Sequence, residues 1–190
     1  IDPLVPRTLW AGTRDIERSQ DLGATWVQFS PTVQNEINAI AIGKGAPNVI
    51  FGGTTAGFIF WTPNGGTNWF GGTAVQRPVT DIVGDPNDSR RFAITHGGFG
   101  PSKILITADA GTNFANLTGN LPDVPVNAFA FTPSRNRFFA GTDLGVFETI
   151  DAGVSWSLTQ GLPLVPVTDL VYHAASNRPV AGTYGRGIWT

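Results

Sequence analysis

Short runs of apolar and small residues follow one another along the whole chain, and clusters of Gly, Pro, Asn, Asp and Ser separate them. In Val126–Phe131 apolar and small residues alternate, which predicts a strand with one face towards a core. A turn over residues 132–136 leads to a second predicted strand at 137–142, a third at 145–149 and a fourth ending near Leu158. No window keeps a 3.6-residue apolar period, so the pattern predicts an all-β fold of four-stranded antiparallel units.

One phrase of eight residues occurs four times, with the form [Ser/Thr]-x-[Asp/Asn]-x-Gly-x-x-[Trp/Phe]. Its acidic or amide residues are Asp21, Asn64, Asp109 and Asp151, which gives steps of 43, 45 and 42 residues. A period of this length with strands between the copies predicts the blades of a β-propeller. The approximate units are residues 1–36, 37–78, 79–125, 126–166 and 167–190, about five blades' worth.

The first unit lacks a first strand, and the last unit lacks a fourth strand. The first unit begins at a second strand near Leu9, and the last unit ends at a third strand near Ile188. The two pieces overlap instead of completing one blade. We therefore expect the chain to be part of a larger ring.

The composition limits the classes of function. Gly (24) and Pro (14) make up one fifth of the 190 residues, only 14% are charged, and the net charge is −2. This charge disfavours nucleic acid as a partner, because phosphate binding needs a concentrated basic surface. The absence of Cys excludes disulfides and thiolate metal sites. No apolar segment approaches 18 residues, so we expect no membrane span.

The chemistry of the repeated phrase is structural. We expect its Asp or Asn to accept hydrogen bonds from N–H groups two or three residues on, and its Ser or Thr to fix the other side of the loop. The Gly supplies a positive φ, and the aromatic ring is predicted to be buried between strands or blades. The residues are Ser19, Asp21, Gly23, Trp26, Thr62, Asn64, Gly66, Trp69, Thr107, Asp109, Gly111, Phe114, Thr149, Asp151, Gly153 and Trp156.

A calcium site at these loops is the alternative. Each loop offers at most one carboxylate, and one copy has Asn64 in that place, so oxygen ligands are too few. We predict no metal and no cofactor.

The phrase resembles the Asp-box, or BNR repeat, of sialidases, xyloglucan-hydrolysing glycosidases, sortilin-type receptor domains and photosystem II assembly factor propellers. The phrases at 161–170 and 181–189 resemble blades of secreted bacterial members, and the resemblance covers essentially the whole chain. It implies a β-propeller whose boxes lie at the blade periphery, away from the active face. It also implies an extracytoplasmic location, whether periplasmic, cell-surface or secreted. By itself it does not imply an activity.

The sequence lacks several of the residues that sialidase chemistry requires. The resemblance to sialidases would require an arginine triad, a Tyr nucleophile with a Glu partner and an Arg-Ile-Pro phrase before the first box. The chain has two Tyr residues, and Val5-Pro6-Arg7 is not that phrase. Glycoside hydrolysis needs two carboxylates facing each other across a cleft. The candidates for such a pair are Asp15, Asp81, Asp143 and Asp169.

We expect function to lie in the loops that join second to third strands and in the connections between blades, because a propeller gathers them at its channel faces. His96 is placed in the longest of these loops. The candidate binding residues are Arg14, Asp15, His96, Lys103, Asp143, Tyr184 and Arg186. The sequence thus predicts a non-catalytic module that binds a protein or glycan and acts as a scaffold within a larger protein or complex. The alternative is a xyloglucanase-like glycoside hydrolase with part of its site outside this chain.

Overall fold

The chain forms five antiparallel β-sheets, which we call blades 1 to 5 in chain order. The computed structural model describes residues 1–2, 4–44 and 48–190. Blade 1 contains β1 (Leu9–Gly12), β2 (Ile16–Ser19) and β3 (Val27–Gln28). Blade 2 contains β4 (Ile37–Ile42), β5 (Ile50–Thr54), β6 (Ile59–Thr62) and β7 (Phe70–Gly72). Blade 3 contains β8 (Val79–Asp85), β9 (Asp88–His96), β10 (Ile104–Thr107) and β11 (Ala115–Asn116). Blade 4 contains β12 (Val126–Phe131), β13 (Phe138–Thr142), β14 (Gly145–Thr149) and β15 (Ser157–Leu158), and blade 5 contains β16 (Val167–His173), β17 (Arg178–Thr183) and β18 (Gly187–Trp189).

Each sheet is a simple meander, with every strand paired to the strand that follows it in the chain. Blades 2, 3 and 4 have four strands, whereas blades 1 and 5 have three within the described residues. By register, β1 corresponds to the second strand of the complete blades, because Gly12 pairs with Ile16 as Gly141 pairs with Val146. The predicted all-β fold of antiparallel blades is confirmed.

The core consists of four apolar clusters, each lying between two successive blades. Between blades 2 and 3, for example, Phe51 and Phe92 are fully buried with ring centroids 4.5 Å apart. Burying a side chain of this size contributes about 1.5–3 kcal/mol. Because each blade buries apolar residues on two faces, neighbouring blades depend on each other for their stability.

Glycine in the second strands allows the next blade to approach closely. A Cβ atom added to Gly53 would lie 2.4 Å from Cγ1 of Val79, and one added to Gly141 would lie 2.6 Å from Cγ1 of Val167. Val79 and Val167 are the first residues of β8 and β16. The small residues in this position therefore make room for the first side chain of the following blade.

Blade 3 departs from the register that the sequence predicts. Aligning its second strand by sequence puts Phe92–Thr95 opposite the Phe-Ala-Gly-Thr of blade 4. In the structure Thr95 pairs with Ile104 as Gly141 pairs with Val146, so the equivalent segment is residues 93–96. The placement of His96 in a loop is likewise wrong, because His96 is the last residue of β9. Within the described residues, no helix has the length and apolar character needed to cross a membrane.

Candidate functional site

One side of the molecule collects the loops between second and third strands together with the connections between blades. Backbone hydrogen bonds join the two sets: Val33 N–H donates to Arg14 O, Thr55 N–H to Glu36 O, Gly97 N–H to Pro78 O, Asp143 N–H to Pro125 O and Tyr184 N–H to Pro166 O. We call this side the loop face. It comprises residues 13–15, 55–58, 97–103, 143–144 and 184–186, and the connections 29–36, 73–78, 117–125 and 159–166.

The four repeated phrases lie on the opposite side, which we call the box side. Each box loop bonds to the backbone just before the second strand of its own blade or within the first residues of that strand. Ala110 N–H donates to Arg90 O in blade 3, and Ala152 N–H donates to Asn136 O in blade 4. Because strands of a meander reverse direction at every turn, these loops cannot belong to the loop face.

All four boxes have the same hydrogen-bond network. In blade 3 the Thr107 hydroxyl donates to Asp109 Oδ1 at 2.8 Å and accepts from the N–H of Gly111 at 2.9 Å. Asp109 Oδ1 also accepts from Asn113 N–H at 2.9 Å. The carboxylate or amide thus reaches the N–H four residues on, not two or three residues on as we expected, and the same is true of Asp21, Asn64 and Asp151.

The box backbone turns through two successive residues with positive φ. The second is the Gly of the repeated phrase, such as Gly111 with a φ of 94°. The first is Leu22, Gly65, Ala110 or Ala152. Hydrogen bonds from Asn113 and Thr107 lower the pKa of Asp109 to about 2, and equivalent bonds from residues 25 and 155 lower the pKa of Asp21 and Asp151 to about 2. The described residues contain no cluster of three metal-ligating side chains. The carboxylates are therefore engaged in holding their own loops.

The aromatic ring of the box is not equally buried in all copies. Trp156 is buried, and its indole N–H donates to Leu117 O at 2.9 Å in the connection from blade 3. Trp69 and Phe114 are half-buried. Trp26 is exposed, so the expectation of a buried ring is wrong for blade 1, where no blade packs against it in the described residues.

Four of the candidate binding residues have side chains on the loop face that reach solvent. Arg14 donates to Gln34 O at 3.0 Å, and Asp15 Oδ2 accepts from the Thr32 hydroxyl at 3.3 Å. Tyr184 and Arg186 are exposed on blade 5. A fifth, Asp143, is half-buried and accepts from the Asn127 amide at 2.8 Å.

The other two candidates, His96 and Lys103, are buried. The Lys103 ammonium donates to Gly100 O and forms an ion pair with Asp123, which also accepts from Gly100 N–H at 2.6 Å. The ion pair and these bonds hold the 97–103 loop in shape. Neither side chain offers a polar group at the surface, which the sequence could not show because both lie next to glycine-rich loop residues.

His96 is unusual because neither ring nitrogen has a hydrogen-bond partner. Burial lowers its pKa to about 4, and the nearby Arg77 guanidinium contributes to the shift. Arg77 itself donates to Gly97 O and Ser102 O. In blades 2 and 4 the equivalent residues are Thr54 and Thr142, whose hydroxyls bond within their own loops.

Of the four candidate carboxylates, Asp81 has a pKa raised by burial, and the charge of Asp169 contributes to it. They occupy equivalent positions one residue after a bulge in β8 and β16, where blades 2 and 4 have Ala39 and Ala128. Asp81 Oδ2 accepts from Phe129 N–H at 3.1 Å. Burial raises the pKa of Asp81 to about 6, and the negative charge of Asp169 adds to this. Asp15 instead accepts from the Thr32 hydroxyl, and Asp143 accepts from the Asn127 amide on β12.

Two amides, Asn38 and Asn127, occupy the bulge position on the first strands of blades 2 and 4. Asn38 and Asn127 do not match Asp81 and Asp169. They match Thr80 and Thr168, one residue earlier. Asn38 Nδ2 donates to Val79 O at 2.7 Å and Asn127 Nδ2 to Val167 O at 3.1 Å. These side chains therefore join one blade to the next.

A cavity of about 390 Å³ opens on the loop face between blades 1 and 2. Among the residues that the structure describes, no charged side chain lines it. The amide side chains of Gln34 and Asn35 and the Thr73 hydroxyl are exposed and make no hydrogen bond to another described residue, while Phe58 forms part of the wall. The remaining lining residues are Thr32, Val33, Thr54 and Ala56. This site could not be predicted from the sequence, because its residues form no motif. They come from two connections and one loop that are each about twenty residues apart.

Further round the loop face, blades 3 to 5 expose apolar residues. Phe99, Leu144, Leu164 and Tyr184 are each exposed, and all four belong to loops or connections defined above.

No protein-family model matches the chain, and no curated protein sequence matches it. Solved structures do. An ancestral GH74 enzyme is similar over 99% of this chain and 29% of its own, at 17% identity and a TM-score of 0.77. The GH74 xyloglucanase from Xanthomonas campestris is similar over 98% of this chain and 34% of its own, at 12% identity and a TM-score of 0.74. The computationally designed Ika8 protein is similar over 96% of this chain and 54% of its own, at 16% identity and a TM-score of 0.71.

These likenesses show the fold. The chain is a β-propeller structure of five antiparallel sheets with three or four strands each. It spans about three-tenths of the ancestral GH74 enzyme, so it corresponds to a part of that protein. Similarity at this level of identity carries no statement about activity.

Proposed function

We propose that this chain is a non-catalytic β-propeller module that binds neutral glycans through its loop face. The observation that carries the proposal is the uncharged cavity between blades 1 and 2, with its free amide and hydroxyl groups and the Phe58 ring. Sugars present hydroxyl groups that pair with amides and hydroxyls, and their C–H faces pack against aromatic rings. A cavity of about 390 Å³ is within the size range of small-ligand sites.

The other cavities favour neutral glycans less. The cavity between blades 4 and 5 is lined by Arg137, Glu148 and Arg178, and the one near the N-terminus includes Asp2 and Arg18. Several charged side chains there already have partners: Arg137 pairs with Glu148, Asp2 accepts from two N–H groups, and the Arg18 guanidinium lies over the rings of Trp10 and Phe29. The free polar groups of the blade 1–2 cavity remain available for a ligand.

The structural likeness to GH74 enzymes supports a glycan ligand, and the four boxes support membership of the Asp-box propellers of secreted bacterial proteins. An extracytoplasmic location would bring the loop face into contact with polysaccharides. A protein partner would contact the exposed apolar residues of blades 3 to 5 instead.

The test is calorimetric titration of the chain with neutral oligosaccharides, using cellotetraose and a xyloglucan heptasaccharide as probes. We expect binding that weakens at least about tenfold in the double variant Gln34→Ala/Asn35→Ala, since each lost hydrogen bond costs about 0.5–1.5 kcal/mol. Gln160→Ala is the matched control, because Gln160 is an exposed amide on the blade 4–5 connection. Absence of binding, or equal loss in the control, would rule the proposal out.

Glycoside hydrolysis is the second candidate, and the Asp81–Asp169 interaction favours it. A carboxyl with a pKa raised to about 6 has the property that a general acid needs, and a second carboxylate nearby is the partner such reactions use. Release of reducing ends from xyloglucan by the chain, abolished by Asp81→Asn and by Asp169→Asn, would support hydrolysis. Binding without any release supports the non-catalytic module.

A further inference from the structure

One apolar position repeats in all five blades and faces the following blade. It is the residue that pairs with the Gly or Thr of the second strand, near the start of the third strand. The exposed fractions are 0% for Ile16, 2% for Ile59, 0% for Ile104, 1% for Val146 and 76% for Ile188. The first four lie in the clusters between blades. Ile188 is the same position without a neighbouring blade.

The first strands show the same contrast. Ala41 and Ala130 are buried towards the next blade, and Val171, at the equivalent position of blade 5, is 53% exposed. A Cβ on Gly12, Gly53 or Gly141 would meet a side chain of the next blade at 2.8 Å or less. A Cβ on Gly182 would meet only its own sheet, at 3.5 Å.

Hydrogen-bonding groups repeat together with the apolar positions. The bulge residues Asn38, Thr80 and Asn127 each donate to the carbonyl of the first residue of the next blade, with Thr80 Oγ1 at 2.6 Å from Val126 O. The residue after the Thr80 bulge, Asp81, accepts from Phe129 N–H on the innermost strand of the next blade.

Blade 5 carries both groups without their partners. Thr168 Oγ1 donates to Gly182 O in its own sheet at 3.2 Å, and Asp169 Oδ1 accepts from its neighbour Leu170 N–H at 2.8 Å. Each makes a contact within blade 5 in place of a contact to another blade. We call Thr168, Asp169, Val171, Gly182 and Ile188 the blade 5 outer face.

We infer that the blade 5 outer face is a docking surface for one further propeller blade, of the same type as blades 2 to 4. The first strand of that blade, which is its innermost strand, packs against blade 5. Its first residue packs over Gly182 and accepts from Thr168, as Val126 accepts from Thr80. The N–H three residues later donates to Asp169, as Phe129 N–H donates to Asp81. Ile188 and Val171 become buried against it.

The described residues of a second copy offer no free first strand to this surface. Blade 1 begins at β1, which is equivalent to a second strand, so within the described residues it has no innermost strand to accept from Thr168 or donate to Asp169. In a second copy, blades 2 to 5 already have that side packed against the preceding blade. The occupant must therefore carry an innermost strand of its own.

The experiment extends the chain after Thr190 with a second copy of residues 107–166. By register Thr190 corresponds to Ile106, so the added segment supplies a fourth strand, a connection and one complete blade. We expect the amides of residues 187–189 to exchange with deuterium at least about tenfold more slowly than in the parent chain, because local opening now requires separating two blades.

The variant Ile188→Ser separates docking from simple extension. It should leave the unfolding equilibrium of the parent nearly unchanged, and should shift that of the extended chain at least about tenfold, because only there is the side chain buried. Tyr184→Ser is the matched control, since Tyr184 is 75% exposed in the same blade but lies on the loop face. It should have little effect in either chain.

Three results would overturn the inference: unprotected amides at 187–189 in the extended chain, an Ile188→Ser effect of equal size in both chains, or a parent chain that sediments as a dimer which Ile188→Ser dissociates. The last result would show that a second copy covers this face.

Discussion

Blades 3 and 4 have the same strands and the same box, yet they are built differently at the end nearest the loop face. Blade 4 has Ala128, Gly141 and Thr142 there, and the first residue of blade 5 packs into the space left by Gly141. Blade 3 has Asp81, Thr95 and His96 at the equivalent positions. The Thr95 hydroxyl lies 2.8 Å from that of Thr80, which bonds to blade 4.

The difference shows that the contact between successive blades can be made in two ways at this end of the sheet. In blade 4 the contact is made by close packing around a glycine. In blade 3 it is made by polar side chains, and this brings two groups with displaced pKa values into one blade. Titratable chemistry enters where the regular pattern of the repeat is broken.

The largest effect is expected when the blade 3 residue is placed in blade 4. Gly141→Thr should destabilise the protein by about 3 kcal/mol, because the new side chain overlaps Val167. Urea unfolding measures this. Thr95→Gly is the reciprocal change and should cost less, about 1–2 kcal/mol, through lost hydrogen bonding. Equal costs for the two variants would contradict the view that the blades solve the contact differently.

His96→Thr gives blade 3 the residue of blade 4 and should change how stability depends on pH. The pKa of His96 is about 4 in the folded chain and near 6.5 in the unfolded chain, so the unfolded chain binds more protons between these values. The stabilisation is therefore present above pH 6.5 and is lost as pH falls to about 4, by about 3 kcal/mol. The variant should lack this loss in unfolding curves at pH 7 and pH 4.5. An unchanged acid slope would show that His96 is not the group responsible.

Asp81→Ala gives blade 3 the residue that blade 4 has at this position. It should change the dependence of stability on pH in the opposite direction to His96→Thr, in an overlapping pH range. The pKa of Asp81 is raised to about 6, so the folded chain holds the proton more tightly than the unfolded chain, and stability is lost as pH rises from about 4 through 6. The variant should remove about 2 kcal/mol of this loss. Because the two groups act in opposite directions, the stability of the parent chain should change little between pH 4.5 and pH 6.5. Each single variant should therefore show the slope caused by the other group, and the double variant should again be nearly flat. A slope that persists in the double variant would point to another group.

The smallest difference is expected on the box side, where the two blades match. Thr107→Val in blade 3 and Thr149→Val in blade 4 each remove a buried hydroxyl that accepts from the Gly N–H at 2.9 Å. Each should cost about 1–2 kcal/mol, and the two values should agree within about 0.5 kcal/mol. Clearly unequal costs would mean that the boxes are not interchangeable.

The strands and the box were predictable because both depend on local patterns. Val126–Phe131 alternates, and the box follows a fixed spacing of hydroxyl, carboxylate, glycine and ring. The register of blade 3 was not predictable, since Phe92–Thr95 matches the Phe-Ala-Gly-Thr of blade 4 better than the segment 93–96, which ends in a histidine. Pairing of β9 with β8 and β10 decides between them.

The candidate site divides in the same way. Arg14, Tyr184 and Arg186 reach solvent as polar residues in turns usually do, but His96 and Lys103 do not. Lys103 is buried because Gly100 O and Asp123, twenty residues later, satisfy its charge. The cavity lined by Gln34, Asn35 and Phe58 exists only because the connection from blade 1 lies beside the β5–β6 loop of blade 2.

By itself the sequence determined the all-β class, the repeat of about 43 residues and the structural nature of the boxes, because strand periodicity and turn chemistry are local properties. Tertiary structure decided which polar groups are exposed, how blade 3 is registered, and that burial raises the pKa of Asp81. These depend on contacts between residues that are far apart in the chain. The same packing buries Val146 and leaves Ile188 at the surface.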